Sequence, residues 1–416
     1  MKPLRICLDA RLPDATIGGG AKVVIGLATG FSKLTDGDEE YHFHTLADAN
    51  DWISPYLKGP CRLFSGPSAP KNILRKRLAR ITWLKRGWHW ASYPVMRLGF
   101  KPPVSDGKVE DAGFDLIHFT QQHAFLTSLP NIYQPHDLQH LHYPQIFSAR
   151  ERWRRAVLYR AFCQQAQMVV AMSQWGKQDL INHLRLPAEK IQVVPWGAWT
   201  DAPAPSPADL QRTQNKFQLP ESFIFLPGQT WVHKNHIAVV QALKLLKETR
   251  GLKIPFVCSG QMNESFPKLQ DSIQKLGMSD QVKFVGFVTE LELESLYRLA
   301  RALVFPTKFE GWGLPIMEAF HAGLPVICSD VTCLPAQAGD AALLCGPDDI
   351  SKLSEHIFRV WTDATLRQDL IARGHDRVSQ FSWDRTARIF RAHYRRLAQR
   401  HLSAEDQSLL TAPPLV

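Results

Sequence analysis

The sequence predicts an α/β protein built on two doubly wound parallel sheets, and three observations support this. Short apolar segments typical of buried strands recur along the 416 residues, separated by segments with helical periodicity. This alternation occurs in both halves of the chain, and a stretch rich in proline and alanine, residues 201–207, lies between them. Hydrophobic residues make up 45% and charged residues 21%, which excludes a disordered chain, and no apolar run approaches the ~20 residues that span a bilayer.

In the first half, five short and largely apolar strands are expected over residues 5–9, 41–47, 114–119, 167–172 and 191–195. The triplet Gly18-Gly19-Gly20 follows the first strand as a loop, and a helix is expected over 22–31. Ser173 follows the fourth strand and suits an N-cap, so a second helix is predicted from there to Ile181.

In the second half, five further buried strands are predicted over residues 223–226, 254–258, 282–285, 302–305 and 325–328. A helix over 236–249 carries apolar residues at helical spacing. Another over 289–301 opens with the capping box Thr289-x-x-Glu292. A third, over 315–321, has proline in its first turn. Strands and helices that alternate in this way predict parallel sheets covered on both faces.

The last predicted helix, over 383–401, places an apolar stripe on one side, and six arginines lie between residues 385 and 400. We expect this helix to dock with a solvated basic face, with contact to lipid or to another acidic partner as the alternative.

The segment from residue 306 to residue 326 carries the strongest chemical signal. A strand ends at Phe305, so the loop after it lies at the carboxyl edge of the sheet, where open α/β sheets bind ligands. Gly311 and Gly313 permit close approach to a ligand, and the helix from Leu314 offers its amides to a phosphate. Glu310 and Glu318 can accept hydrogen bonds from hydroxyl groups near that phosphate. This layout favours a nucleotide-sugar, whereas the simpler reading makes both carboxylates structural.

Lys234 lies between a buried strand and a helix, with Asn235 as the expected N-cap. Its ammonium group would therefore meet a phosphate held by helix amides. The simpler interpretation is an exposed surface lysine.

The segment 310–319, Glu-Gly-Trp-Gly-Leu-Pro-Ile-Met-Glu-Ala, resembles the E-x7-E signature of retaining glycosyltransferases of family 4, whose core reads E-G-F-G-L-P-x-x-E-A. Trp312 stands where that core has phenylalanine. Other stretches extend the resemblance along most of the chain: a phosphate-binding loop over 227–235, the end of the N-terminal domain over 173–180 and 193–197, and the approach to the last helix over 381–383.

This resemblance implies the GT-B fold, with two Rossmann-like domains facing a central cleft. It implies an acceptor-side domain over 1–200, a nucleotide-sugar domain over 201–385, and a C-terminal helix and tail over 386–416 that pack back on the N-terminal domain. The implied activity is retaining transfer of a hexose to a glycan or lipid-linked glycan in surface polysaccharide synthesis. GDP-mannose is the favoured donor and UDP-sugars come next, and no metal cofactor is expected.

The resemblance also assigns roles. His136, Glu310 and Lys234 are the expected catalytic residues, with His136 at the donor sugar and Lys234 at the donor diphosphate. The expected substrate-binding residues are Gly19, Gly20, Asp137, Gln229, Asn235, Gly311, Trp312, Gly313, Leu314 and Glu318. Gln229 occupies a position where the family often has arginine, so Lys234 is expected to carry more of the leaving-group stabilisation, unless another basic residue substitutes.

Other functions remain open at this stage. One is an NDP-sugar epimerase of the same architecture, and another is a non-catalytic protein that binds nucleotide-sugars or nucleic acid. His136 and His140 have the H-x-x-x-H spacing of a zinc site, but Pro135 and Pro144 bracket too short a segment for a secure helix. The Asp36-Gly-Asp38 sequence is expected to be a solvated turn.

The formal net charge of +10 and the pI near 9.3 indicate an anionic partner. Residues 71–101 contain nine lysines and arginines, no acidic residue, and interleaved aromatics. This composition suits an anionic membrane surface or a lipid-linked acceptor, or else a solvated insertion, and nucleic acid is not expected. Arg5 and Asp9 interrupt any signal-peptide core, and the seven scattered cysteines indicate reduced thiols. We therefore expect a cytoplasmic protein that can lie peripherally at the inner face of the membrane.

Overall fold

Two parallel β-sheets, one in each half of the chain, form the framework of the computed structural model, which describes residues 2–12, 19–46, 50–65, 100–198 and 204–416. The described residues divide into two units. The first draws on residues 1–172, 177–195 and 383–414, and the second on 173–176, 196–382 and 415–416. The predicted α/β class, with a Rossmann-like sheet in each half, is confirmed.

The sheet of the first unit has seven strands: β1 (Leu4–Asp9), β2 (Glu39–Thr45), β3 (Cys61–Ser65), β4 (Leu116–Phe119), β5 (Asn131–Tyr133), β6 (Met168–Ala171) and β7 (Ile191–Val193). Their order is β3-β2-β1-β4-β5-β6-β7, and all neighbours are parallel. Ile6 lies opposite both Tyr41 and Leu116. The direction of winding therefore reverses between β1 and β4, which is where ligands of such sheets bind.

The described residues of the same half of the chain form five helices: α1 (Gly19–Ser32), α2 (Lys108–Asp111), α3 (Gln139–His142), α4 (Ala149–Gln165) and α5 (Gln174–Leu184). The hydroxyl of Ser173 accepts a hydrogen bond from the Gly176 amide at 3.0 Å, as its predicted N-cap role requires. α1 begins three residues earlier than expected, so Gly19 and Gly20 form its first turn and not a loop.

The sheet of the second unit has six strands: β8 (Ile224–Pro227), β9 (Phe256–Ser259), β10 (Val282–Gly286), β11 (Ala302–Phe305), β12 (Val326–Ser329) and β13 (Ala342–Cys345). Their order is β10-β9-β8-β11-β12-β13, again with parallel neighbours. Every residue of β8, β9, β11 and β12 is buried, as expected for strands covered on both faces. The winding reverses between β8 and β11.

Eight helices accompany this second sheet: α6 (Pro207–Phe217), α7 (His236–Arg250), α8 (Phe266–Lys275), α9 (Glu290–Leu299), α10 (Leu314–His321), α11 (Leu334–Ala338), α12 (Ile350–Thr362) and α13 (Ala364–Ser379). The capping box Thr289–Glu292 is present at the start of α9. The segment 201–207 was predicted as a linker, but α6 begins at its end. Ser206 and Asp209 form a capping box there, with proline in the first turn, and this signal starts the helix.

The last two helices, α14 (Trp383–Leu397) and α15 (Ala404–Thr411), belong to the first unit. The predicted apolar stripe of α14 is buried, and it packs along α1. A Cβ atom at Gly26 would lie 2.0 Å from the Trp383 ring, and one at Gly30 would lie 2.3 Å from the Trp383 carbonyl oxygen. The two helices can therefore approach this closely only because α1 has glycine at both positions.

The prediction that the basic face of α14 is solvated is wrong for two of its arginines. Arg391 is 1% exposed and pairs with Asp36 at 2.5 Å and with Glu405 at 3.2 Å. Arg395 forms ion pairs with Glu39 and Asp406. Buried guanidinium groups need such partners because removing an unpaired charge from water is costly. The turn at Asp36 thus serves the packing of the C-terminal helix.

All seven cysteines are buried free thiols, which agrees with the prediction. Within the described residues, no helix combines the length and apolar character needed to cross a bilayer. The basic segment 71–101 lies outside the described residues, apart from Phe100 and Lys101.

We predict that Gly26→Ala lowers the stability of the protein. Alanine improves helix propensity by about 1 kcal/mol, but the new Cβ overlaps a Trp383 ring whose own backbone is held against Gly30. Overpacking of this kind costs roughly 1–3 kcal/mol, so the clash outweighs the gain. Urea denaturation should show the loss. The matched variant Gly346→Ala, where the nearest neighbouring atom is 3.7 Å away, should leave the midpoint unchanged, and equal midpoints for all three proteins would contradict the packing argument.

Candidate active site

Lys234 and Glu310 meet at the carboxyl edge of the second sheet. Lys234 ends a 3-10 turn that follows β8, and Glu310 lies in the loop after β11, the neighbouring strand across the winding reversal. The Lys234 Nζ atom is 2.7 Å from the Glu310 Oε1 atom, and the Thr307 hydroxyl donates to the same oxygen at 2.8 Å. Their side chains are only 18% and 11% exposed. The structure therefore brings together the two residues on which the sequence prediction depends.

Asn235 occupies the N-cap position of α7, as predicted, but its side chain makes no capping hydrogen bond to the helix. The residue has φ of 60°, a left-handed conformation that asparagine tolerates. In this conformation its Nδ2 atom donates to the carbonyl oxygens of Pro306 at 3.0 Å and Pro347 at 2.7 Å. Asn235 therefore ties together the segments that follow β8, β11 and β13.

Glu318 lies inside α10 and is buried. The Tyr297 hydroxyl, from α9, donates to its Oε2 atom at 2.6 Å. Burial, and then the neighbouring carboxylate, raises the pKa of Tyr297 well above its ordinary value, so the hydroxyl keeps its hydrogen and remains a donor. Sequence reasoning found Glu318 but not Tyr297, because the two side chains are 21 positions apart and meet only in the folded chain.

The loop before α10 is held by a glutamine that the sequence analysis missed. The Gln337 Oε1 atom accepts a hydrogen bond from the Gly313 amide at 3.0 Å, and its Nε2 atom donates to the Gly313 carbonyl at 3.1 Å. Trp312 is buried, and its ring lies edge-on to Phe381 at 5.7 Å. Gly311 and Leu314 are partly exposed. The predicted binding loop is thus anchored through its middle residues and reaches solvent at its two ends.

The loop after β8 approaches the loop after β9 very closely. A Cβ atom at Gly260, where φ is 120°, would lie 2.4 Å from the Gly228 carbonyl group, so only glycine fits there. Gln229, a predicted substrate-binding residue, accepts a hydrogen bond from the Trp231 indole at 2.7 Å. Its side chain is therefore oriented within its own loop.

His136 lies in the first unit, after β5, with φ of 66°. Its Nε2 atom is 2.8 Å from the Thr120 carbonyl oxygen, which can only accept, so Nε2 carries the hydrogen and Nδ1 is an acceptor. Burial lowers the pKa of His136 to about 4, so the ring is neutral at pH 7. Asp137 accepts a hydrogen bond from the Gln139 amide at 3.0 Å.

Gly20 lies at the winding reversal of the first sheet. The Gln121 side chain, after β4, donates to its carbonyl oxygen at 3.1 Å, and a Cβ atom at Gly20 would lie 2.8 Å from the Gln121 Oε1 atom. Gly19 beside it is exposed, and Gly18 lies outside the described residues.

The H-x-x-x-H pair is not formed on a helix, because α3 begins at Gln139 and His136 lies before it. The His140 ring instead packs edge-on against Tyr159 at 5.3 Å.

A comparison with solved structures identifies the fold. Over 94% of the chain, the structure superimposes on 99% of HepE from Anabaena, solved in complex with UDP and glucose, with a TM-score of 0.68 at 18% identity. The two units are those of the GT-B glycosyltransferases.

Comparison of sequences then gives the family. The sequence model of the family described as "Glycosyltransferase Family 4" matches residues 17–201, and the family model described as "Glycosyl transferases group 1" matches residues 208–377. O-antigen chain mannosyltransferase B from Escherichia coli is 30% identical over 267 residues, which cover 61% of this chain and 70% of that protein. The serotype-specific mannosyltransferase WbdA of the same species is 27% identical over 57% of this chain, but only 29% of its own length is matched. The chain belongs to this family of glycosyltransferases.

We predict that Tyr297→Phe destabilises the second unit. The change removes the donor to a buried carboxylate oxygen, which costs about 1–3 kcal/mol. The control is Tyr41→Phe, because the buried hydroxyl of Tyr41 has no hydrogen-bond partner among the described residues. Urea denaturation should show a loss for Tyr297→Phe alone, and equal losses for the two variants would argue against the role of the Tyr297–Glu318 bond.

A second prediction concerns pH. Because the pKa of folded His136 is about 4 and that of an unfolded histidine is near 6.5, only the unfolded chain gains this proton as the pH falls through that window. Stability should therefore fall with pH from about 6.5 to 4, by at most about 1.4 kcal/mol per pH unit for this residue, and by less where solvent reaches the ring.

The test is urea denaturation of His136→Asn at several pH values, since asparagine tolerates the positive φ. This variant should lose stability less steeply over the window, whereas the exposed His401→Asn should follow the parent protein. An unchanged slope for His136→Asn would show that His136 titrates normally.

Proposed function

We propose that the protein transfers a hexose, with mannose favoured, from a nucleotide-diphosphate sugar to a glycan or lipid-linked glycan acceptor, with retention of configuration at the anomeric carbon. The observation that carries this proposal is the Lys234–Glu310 pair at the β8/β11 reversal, with the N-terminus of α10 beside it in sequence. A cation, a carboxylate and helix amides at one sheet edge suit a diphosphate flanked by sugar hydroxyls.

In this proposal the donor binds at the edge of the second sheet. The Lys234 ammonium group interacts with the diphosphate as well as with Glu310, and the first backbone amides of α10 face the same diphosphate. Glu310 and Glu318 accept hydrogen bonds from donor hydroxyls. Glu318 also accepts from the Tyr297 hydroxyl, and a carboxylate offers about four lone-pair sites.

The transfer breaks the bond between the anomeric carbon and the phosphate oxygen and forms a bond to the acceptor oxygen on the same face. The acceptor proton passes to the leaving phosphate oxygen, so atoms and charges balance without a protein base. The chain's part is positioning and stabilisation of the negative charge on the diphosphate. We propose that Lys234 and the helix amides supply this stabilisation without a metal ion.

His136 has a limited part in this scheme. The His136 ring is neutral at pH 7, and its Nε2 atom donates to the Thr120 carbonyl oxygen. The ring therefore accepts hydrogen bonds through its Nδ1 atom. We assign it to a hydroxyl of the donor sugar and give it no role as a general acid. Gly19, Gly20 and Asp137 are proposed to contact the substrates from the same unit.

The relatives support the choice of sugar. Both relatives reported above are mannosyltransferases, and one of them is named for the O-antigen chain. GDP-mannose is therefore the first donor to test. UDP-sugars are tested beside it because HepE was solved with UDP and glucose. The basic segment 71–101 is proposed to meet the acceptor or the anionic inner face of the membrane from a cytoplasmic location.

We predict that Lys234→Met and Glu310→Gln each lower kcat for transfer by about 10²–10³. The first variant loses the cation beside the developing negative charge, and the second loses the carboxylate that positions Lys234 and accepts the donor hydroxyls. The matched control is Lys244→Met, because Lys244 pairs only loosely with Glu248 on the surface of α7, at 3.6 Å. Circular dichroism should show that all three variants remain folded.

The assay uses purified protein, a panel of GDP-, UDP- and ADP-sugars and an oligosaccharide acceptor, with EDTA present. Nuclear magnetic resonance of the product reports the anomeric configuration. Full activity in both site variants would remove Lys234 and Glu310 from the mechanism, and an inverted product would exclude retention. Conversion of the donor to a different NDP-sugar without an acceptor would indicate an epimerase.

A further inference from the structure

Three side chains that can bind metal meet on the first unit, and none of them is assigned a role in transfer. Asp179 and His183 are four positions apart on α5, so they share one face of the helix. His142 is the last residue of α3, and its ring meets the same face. The ligand-forming atoms of the three residues all lie within 4.8 Å of one another.

The geometry is close to that of a zinc site. The His142 Nε2 atom is 2.7 Å and the His183 Nδ1 atom 3.0 Å from the same Oδ1 atom of Asp179, and the two rings are 5.1 Å apart. Nitrogen and oxygen ligands about 2.0–2.1 Å from tetrahedral Zn²⁺ lie roughly 3.3 Å apart. To hold an ion, each ring nitrogen must move a few tenths of an ångström away from the Asp179 Oδ1 atom, and the two nitrogens, which lie within 4.8 Å of one another, must sit about 3.3 Å apart.

The exposure of the three side chains allows this adjustment. Asp179 is 6% exposed and held by the body of the helix, while the side chains of His142 and His183 are 28% and 39% exposed and can turn. Without metal, both rings can donate to the carboxylate. With metal, the hydrogen on each facing nitrogen moves to the other nitrogen of its ring, so binding needs no additional group.

We propose that His142, Asp179 and His183 bind one divalent transition-metal ion, with Zn²⁺ as the expected ion. Two imidazoles and one carboxylate match the preferences of zinc and its neighbours, whereas Mg²⁺ and Ca²⁺ prefer oxygen ligands alone. Three protein ligands leave the remaining position to water. The ion takes no part in transfer in this proposal, which stands whether or not the proposed function is correct.

The consequence is mechanical. α3 begins three residues after His136, and its one turn is part of the connection between that histidine and α4. An ion shared by α3 and α5 would join this connection to a longer helix and restrict its motion.

The test uses full-length protein without a histidine tag, stripped with EDTA and dialysed. Calorimetric titration with ZnCl₂ should show one equivalent bound, and Co²⁺ should give the visible absorption of a four-coordinate ion. His142→Ala and His183→Ala should each weaken binding by at least about tenfold. The exposed histidine variant His401→Ala should bind as the parent does.

Melting temperature provides the second readout. Zn²⁺ should raise it in the parent and in His401→Ala but not in the two site variants, because only a site in the native state gains from the ion. Zinc binding that is absent from the parent, or equally strong in both site variants, would overturn the proposal and leave the three residues as a hydrogen-bonded link. Equal affinity for Ca²⁺ would also contradict it.

Discussion

The arrangement of the candidate site at the carboxyl edge of the second sheet depends on the ion pair between Lys234 and Glu310. Both groups are largely withdrawn from water, where an unpaired charge would be costly. They meet because β8 and β11 are neighbours across the reversal of winding, although 76 residues separate them in sequence. The Phe305 ring, 5.3 Å from the ammonium group, adds a cation–π contact. Topology thus places a charged pair where a parallel sheet is already open to ligands.

The site depends equally on neutral side chains that hold its backbone. Asn235 connects three strand ends, Gln337 grips both polar groups of Gly313, and Tyr297 fixes Glu318. All of these contacts are buried except the Asn235–Pro347 bond, which is partly buried, so the buried hydrogen bonds also satisfy groups that could not otherwise reach water. Charged residues at this edge are therefore presented by a framework with little freedom to shift, which is what preorganised electrostatic stabilisation requires.

Local rules explain which features the sequence could predict. Alternating apolar segments located most strands to within one or two residues, and the capping box at Thr289 marked a helix, because these signals lie within a few positions. Lys234, Glu310 and Glu318 could be proposed because motif and strand order place them at one edge. Tyr297, Gln337 and the partners of Arg391 could not, since their contacts join residues far apart in the chain. The start of α6 was a local signal that the proline-rich composition obscured.

The packing of α14 against α1 has a consequence for the order of biosynthesis. The glycine-lined surface of α1 belongs to the first 32 residues, but the tryptophan that covers it is residue 383. A ribosome therefore completes the whole second unit before the first can close its core. The second unit, whose sheet lies in one uninterrupted stretch of chain, can fold during translation, while the first must wait until α14 has been synthesised.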